Sequence, residues 1–382
     1  MNRGGAQDSG TGDAVPTLGS SNIQFAHILR GEHRKGPFAT PPFPSGGDSR
    51  ARLAVVATSK LSTTHVTRPG PTTSRLLIYH PVWAGEAAAR LTERQLSLEI
   101  RIATNPTQAA KHINDVDMLL TENSFPTELL HNGLRLRWIH VAAAGVDRFG
   151  SVAARLHGVT VTRSVGTLGP RMAEYVFGSV LTLSQDVPRA LGQKRERRWE
   201  SYLQWWLHSR TLLVVGVGEV GRKVGSVGRA FGMRVLGVVR RPRRMHGIEE
   251  VVPIEELHKV LCDAHIVIVT LPLTQQTRGL FGPDEFAAMR EDSVFVNIAR
   301  GSIVQESALV AALRRKRPRW AILDVFEREP LPRSSPLWRL PNAIITPHLS
   351  GRTLLDEVLE EFCENLHRLR NGRRLRHIAY LA

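Results

Sequence analysis

Residues 211–241 read TLLVVGVGEVGRKVGSVGRAFGMRVLGVVRR, and this stretch decides the fold. Thr211 to Val215 is a short apolar run, rich in β-branched residues and bounded by glycine, the pattern of a buried strand. Gly216, Gly218 and Gly221 follow at G-x-G-x-x-G spacing. A helical stretch comes next, and a second apolar run, Arg234 to Val239, ends on Arg240 and Arg241. Strand, tight turn, helix and strand within about thirty residues is the context in which this glycine pattern marks a dinucleotide site rather than an ordinary turn. Gly216 permits the tight turn, Gly218 lets a pyrophosphate approach the backbone, and Gly221 lets the helix lie close on the sheet. The free amides at the helix start, at Glu219 and Val220, then face the phosphates.

Working outward, the same alternation continues on both sides. Downstream, strands are expected at 211–215, 234–239, 266–271, 293–298, 320–325 and 343–346, with helices at 219–231, 254–260, 283–290 and 305–315. Such a series describes a doubly wound parallel sheet whose ligands bind at the strand carboxyl ends. Upstream, strands are expected at 76–81, 96–103, 116–121, 136–141 and 159–162, with helices at 84–94, 106–114 and 126–132 and a short one after the loop AAAGVD. This is a second parallel α/β unit. Residues 171–206 read as one long helical stretch carrying Trp199, Trp205 and Trp206, aromatics that suit either a core or an interface. Asp356 to Arg370 places Val358, Leu359, Phe362, Leu366 and Leu369 on one helical face, which could pack back on the first unit.

The domain division expected is therefore a 1–74 extension, a first part of a substrate domain at 75–170, a dinucleotide-binding domain at 171–348 and a returning segment at 349–382. The extension is rich in Gly, Ser, Thr and Pro without periodicity, so it reads as disordered. A targeting segment and a start codon placed too early stay open for it. With 382 residues there is room for two domains and a tail. No apolar run approaches the roughly 18 residues of a membrane span, and two distant cysteines give neither a disulfide framework nor metal spacing. A cytoplasmic protein without membrane partners is the default reading. The net charge of +16 invites a nucleic-acid partner, but only seven of the 51 basic residues are lysine and the basic clusters are scattered. The arginine bias can reflect codon usage, and no nucleic-acid partner is expected.

Three strand ends carry unusual residue types. The strand at 294–298 runs into Ala299-Arg300-Gly301, the one at 321–325 into a segment bearing Glu327 and Glu329, and the one at 344–346 into Pro347-His348. An arginine, a carboxylate and a histidine thus converge near the nicotinamide end of a dinucleotide. Arginine can clasp a carboxylate through its fork of donors. A carboxylate beside a histidine orients it and raises its pKa, so that it can deliver a proton near neutral pH. The set suits reduction of a 2-oxo acid. Glu327 reads as a surface ion-pair residue, and His80, His140 and His208 as hydrogen-bonded structural histidines. No residue cluster has metal-ligand spacing.

The motifs VGVGEVG, TLPLTQQTRGLFG, VNIARGSIV, LDVFEREPLP and SPLWRLPNAIITPH, over roughly residues 75–375, resemble those of the D-isomer-specific 2-hydroxyacid dehydrogenases, and most closely the glyoxylate/hydroxypyruvate reductase-like members. The resemblance implies a Rossmann cofactor domain inserted in a split flavodoxin-like substrate domain. It implies that Arg300 binds the substrate carboxylate and carbonyl, His348 is the general acid/base and Glu329 pairs with it. Asp324 would hold the nicotinamide carboxamide, and Leu271, Pro272, Thr277 and Ala299 would line the cofactor groove. The amides of Ala144 and Gly145 would meet the substrate carboxylate. Family dimers interlock through the segment after the AEYV helix, which implies a homodimer here. The same fold also serves in corepressors, so a dinucleotide-sensing scaffold is the alternative function.

One departure concerns the cofactor. An NAD site carries an acidic residue about 20 positions beyond the glycines, where it accepts hydrogen bonds from the ribose 2′-OH. Here that place holds Arg240, followed by Arg241 and Arg243. Guanidinium groups would bind a 2′-phosphate, so NADPH is expected over NADH, with NADH still usable.

Overall fold

The computed structural model describes residues 74–131, 134–166 and 168–379. Except for Ser74, the N-terminal extension read from the sequence lies outside the described residues.

A first sheet is built from β1 (Ser74–Tyr79), β2 (Leu98–Ala103), β3 (Met118–Thr121), β4 (Trp138–Val141) and β5 (Thr160–Arg163) in the order β2-β1-β3-β4-β5. All its ladders are parallel. Helices α1 (Ala84–Glu93), α2 (Pro106–His112) and α3 (Asp147–Gly150) connect them. Alternate side chains of β1 enter different cores, Leu77 and Tyr79 one and Leu76 and Ile78 the other. Burial of both faces is what an all-parallel sheet requires.

The chain then runs through α4 (Leu168–Ser184) and α5 (Val187–Glu196) into a seven-stranded sheet. Its strands are β6 (Thr211–Val215), β7 (Arg234–Val239), β8 (Glu250–Pro253), β9 (Ile266–Val269), β10 (Val294–Asn297), β11 (Trp320–Leu323) and β12 (Ala343–Ile345). They lie in the order β12-β11-β10-β9-β6-β7-β8, all parallel. Helices α6 (Glu219–Ala230), α7 (Leu257–Leu261), α8 (Pro283–Ala288) and α9 (Glu306–Arg314) lie between strands. Leu212 and Val214 bury with α4 and α6, while Leu213 and Val215 bury with α8 and α9. Both sheets are of the doubly wound type.

The last helix, α10 (Leu355–Arg370), returns to the first sheet. Val358, Leu359, Phe362 and Leu366 share a core with Leu76, Ile78 and Trp138. Phe362 stacks on Trp138 with centroids 4.8 Å apart. Beyond the helix, Ile378 forms an antiparallel bridge to Thr162.

Three sequence expectations change. The second sheet has seven strands rather than six, because Glu250–Pro253 pairs with β7 although it is short, flanked by charge and closed by proline. The helix expected at 126–132 is a single 3₁₀ turn, Thr127–Leu129, too short to present a buried face. The long helix over 171–206 breaks at Asp186, which is left-handed (φ 47°) and caps α5 through the Arg189 amide ahead of Pro188. The tryptophans stand beyond the helices, in an irregular segment, because α5 ends at Arg197, which is left-handed (φ 53°). Trp205 is partly buried against the α4 core, whereas Trp199 is fully exposed and Trp206 73% exposed.

Candidate active site

In the second sheet the strand order reverses between β6 and β9, which opens the crevice. Gly216 turns out of β6 at φ 102°, and a Cβ there would lie 2.9 Å from the Leu271 amide nitrogen. A Cβ on Gly221 would lie 2.2 Å from the Gly216 carbonyl oxygen, so α6 could not sit this close on any larger residue. The place of a Gly218 Cβ is open, and Glu219 and Val220 begin α6 beside it. Leu271 and Pro272 follow β9 across the crevice. Thr277 is buried and its hydroxyl is engaged within the same loop, donating to the Pro272 carbonyl (2.7 Å) and accepting from the Thr274 amide (2.8 Å). It shapes the groove wall. At the end of β7, Arg240 and Arg241 are exposed and make no ion pair with any described carboxylate. Open backbone at the glycines fits the pyrophosphate of a nicotinamide dinucleotide.

The strand ends assemble the chemical residues. Arg300 leaves β10, Asp324 and Glu329 leave β11, and His348 leaves β12. His348 Nδ1 lies 2.7 Å from Glu329 Oε2, and the other Glu329 oxygen accepts the Phe326 amide at 3.0 Å. The hydrogen bond to Glu329 raises the His348 pKa against burial, which lowers it. Burial alone would raise the Glu329 carboxyl, but its bonds from His348 and Phe326 bring it below the ordinary value. The pair thus favours imidazolium beside carboxylate, and with Nδ1 committed to Glu329, Nε2 remains for exchange with a ligand. His348 is itself left-handed, at φ 50°, a conformation that costs a residue with a Cβ about 1–2 kcal/mol.

Asp324 accounts for how that turn is held. It is fully buried, and its carboxylate accepts the Leu349 amide (2.9 Å), the Ser350 amide (2.9 Å) and the Thr346 hydroxyl (2.6 Å). Its carbonyl accepts the His348 amide. Thr346 is joined in turn to the Tyr175 hydroxyl at 2.6 Å, and burial pushes that phenol up to about 12. The resemblance assigns Asp324 to the nicotinamide; the bonds it makes here hold the turn that carries His348.

The first domain supplies the other wall. The Arg300 Nε donates to Asp147 Oδ2 at 2.7 Å and Nη1 donates to the Ala299 carbonyl at 2.7 Å. Nη2 rests on Gly145 so closely that a Cβ there would be 1.4 Å away. Gly145 is also held by Asn123, whose Nδ2 donates to its carbonyl at 2.8 Å, and the Ala144 carbonyl accepts Arg163 Nη1 at 2.7 Å. The Arg300 guanidinium thus lies against the Ala144-Gly145 loop of the first domain, ion-paired to Asp147. Asp147, Asn123 and Tyr175 escape sequence reasoning, since no local pattern marks a partner so distant in the chain; Asp147 alone adjoined a motif already singled out.

The remaining histidines divide. His140 is fully buried between Thr162 and Ser164, and burial with the nearby His377 holds its pKa at about 3. His208 bonds Ser209 and packs over Gly232. Glu327 makes no ion pair among the described residues, contrary to the sequence expectation; its carboxylate accepts the Glu306 amide and its own amide donates to the Glu306 carboxylate. Among the described residues no group of His, Cys, Asp and Glu could hold a metal ion.

Known proteins bear on this geometry. The D-isomer specific 2-hydroxyacid dehydrogenase NAD binding domain matches residues 177–350. A glyoxylate reductase from Aeropyrum pernix is 32% identical over 253 residues, covering 64% of this chain and 75% of that protein. The chain spans about half the length, 54%, of the D-3-phosphoglycerate dehydrogenase it also matches. Among solved structures, a D-isomer specific 2-hydroxyacid dehydrogenase family protein from Aeromonas salmonicida is 34% identical at a TM-score of 0.75, with 81% of this chain and all of that one covered. A D-isomer specific 2-hydroxyacid dehydrogenase from Xanthobacter autotrophicus, in complex with NADPH and MES, is 30% identical at 0.71, covering 81% of this chain and 98% of that one. Sequence, fold and site point the same way: the chain belongs to the D-isomer specific 2-hydroxyacid dehydrogenases, a family of NAD(P)-dependent oxidoreductases.

Proposed function

We propose that the protein reduces a small 2-oxo acid, glyoxylate or hydroxypyruvate, to the D-2-hydroxy acid, with NADPH as preferred cofactor. The observation that carries this reading is the meeting of Arg300, Gly145 and the Glu329–His348 pair at the joined strand ends. The substrate carboxylate binds the Ala144-Gly145 amides and Arg300, whose guanidinium also polarises the carbonyl. When bound in the crevice, reduced nicotinamide supplies a hydride to the substrate C2. His348 Nε2 delivers the proton to the carbonyl oxygen as charge develops there, and Glu329 stabilises the imidazolium that gives it. Asp324 keeps the imidazole in place. Mixing the protein with NADPH and either acid and following absorbance tests the reading. A silent assay with dinucleotide binding intact would instead favour a dinucleotide-sensing scaffold.

The preference for NADPH rests on Arg240 and Arg241, exposed and without carboxylate partners where a 2′-phosphate would lie. Changing both to alanine is expected to lower kcat/KM with NADPH by roughly 100-fold, two charge-assisted bonds at about 1.5 kcal/mol each. The value with NADH should change far less, and the gap should narrow as salt rises. Equal kcat/KM for the two cofactors before mutation would sink this assignment.

A homodimer completes the proposal. Trp199 and Leu203 are 100% and 99% exposed and Trp206 73%, an apolar arm that a second copy would cover. Changing Trp199 and Leu203 to aspartate should yield monomers by sedimentation; a monomeric unmutated protein would overturn the arrangement. Cys262 and Cys363 are free cysteines. No helix among the described residues is long and apolar enough to cross a membrane.

A further inference from the structure

The first sheet has its own reversal of strand order, between β1 and β3. In an open α/β sheet the ligand crevice lies outside the carboxyl ends at such a point. The residue leaving β1 there is His80, and the residue leaving β3 is Glu122. His80 Nε2 lies 3.2 Å from Glu122 Oε2. The other ring nitrogen, Nδ1, accepts the amides of Val82 at 3.0 Å and Trp83 at 3.1 Å. An acceptor of two amides carries no proton, so the proton sits on Nε2 and is donated to Glu122. The ring is further held by stacking on Trp83, with centroids 4.3 Å apart.

This does more than fix a structural histidine. The His80 side chain is 13% exposed whereas that of Glu122 is 37%, so a sheltered imidazole orients a carboxylate that stays open to the crevice. The next residue, Asn123, is the one that grips the Gly145 carbonyl beside Arg300. Its own Oδ1 is buried with no hydrogen-bond partner. An acceptor in that state is costly and gains from a donor placed beside it. One residue away from the proposed carboxylate seat, this edge presents two side-chain acceptors, and the two cations beside them are each tied to backbone. The nearby Arg148 and Arg163 each spend Nη1 on a backbone carbonyl, of Asn123 and Ala144 respectively.

We propose that His80, Glu122 and Asn123 read the C3 substituent of the 2-oxo acid, accepting a hydrogen bond from a hydroxyl there and rejecting a second anionic group. This rests on the reductase reading given above and narrows it: hydroxypyruvate is the preferred small substrate, glyoxylate lacks the group that is read, and the 3-phosphate ester of hydroxypyruvate is excluded by the Glu122 carboxylate. A site built to bond a hydroxyl discriminates far more strongly than an apolar pocket does, because its polar groups are otherwise left unpaired.

The test compares kcat/KM for hydroxypyruvate, glyoxylate and the phosphate ester in the unmutated protein, Glu122→Ala and Glu122→Gln. Melting temperature and NADPH affinity verify that each variant is folded. Glu122→Ala is expected to reduce the hydroxypyruvate-to-glyoxylate ratio by about tenfold or more. Glu122→Gln keeps an acceptor but loses the charge, so it should preserve more of that ratio while raising relative turnover of the phosphate ester. An unchanged ratio in folded Glu122→Ala, or an unmutated protein that reduces the ester as well as hydroxypyruvate, would overturn the proposal while leaving the reductase reading intact. Absence of turnover with every 2-oxo acid would overturn both.

Discussion

Replacing His348 by alanine is expected to lower kcat for 2-oxo-acid reduction by ~10²–10⁴-fold, the usual range for a positioned proton donor. NADPH affinity should be unchanged, because the glycine turn, α6 and the β7 arginines proposed to hold the cofactor lie on other strands. Steady-state rates beside a fluorescence titration of NADPH check both halves. A variant with near-normal kcat would remove His348 from the reaction. The pH profile gives an independent reading. Reduction needs the imidazolium, so kcat/KM is full below the His348 pKa and falls as pH rises through it. The hydrogen bond to Glu329 raises that pKa, which places the falling limb above the ordinary imidazole value of ~6.5. Glu329→Gln removes the charge and should move the limb to lower pH. A limb that stayed in place would mean that another group sets it.

The second large effect concerns stability. Phe362→Ala should destabilise the protein by ~3–5 kcal/mol, as expected for a fully buried aromatic. Its ring is 0% exposed, stacks on Trp138 and meets His140 edge-on at 5.9 Å, so its loss leaves a cavity under the centre of the first sheet. Denaturant unfolding should show a lower midpoint, with the loss concentrated in the first domain. Hydrogen exchange would localise it to β1, β3 and β4. Uniform loosening of both sheets, or no change, would contradict the discontinuous core described above.

What could be read from the chain was what is local in it. The glycine spacing, the apolar runs of the second sheet and the single apolar face of α10 each declare themselves within a few turns or strands. Arg300, Glu329 and His348 were legible because each stands just beyond a strand that could be placed. The contacts that tune them were not. Asp147 reaches Arg300 across 153 positions, and Tyr175 reaches Thr346 across 171. That Asp324 holds the histidine turn stayed hidden for the same reason, since its bonds run to Leu349 and Ser350 in a later turn. The tryptophan segment reads as helix because its composition permits one; the left-handed Asp186 interrupts the helix and the left-handed Arg197 ends it ahead of the tryptophans. Strand β8 was invisible because its stability comes from pairing with β7 rather than from its own composition.

The return of α10 to the first sheet sets an order of events during synthesis. The Val165 amide bonds Glu361, 196 positions later, and at about 5–20 residues per second this interval lasts roughly 10–40 s. Throughout it Leu76, Ile78 and Trp138 lack the helix that covers them in the finished protein, whereas the strands of the second sheet are made contiguously and can close before the chain is complete. The nascent first domain is therefore the client a holding chaperone would meet, and the last helix is the signal that ends the need for it.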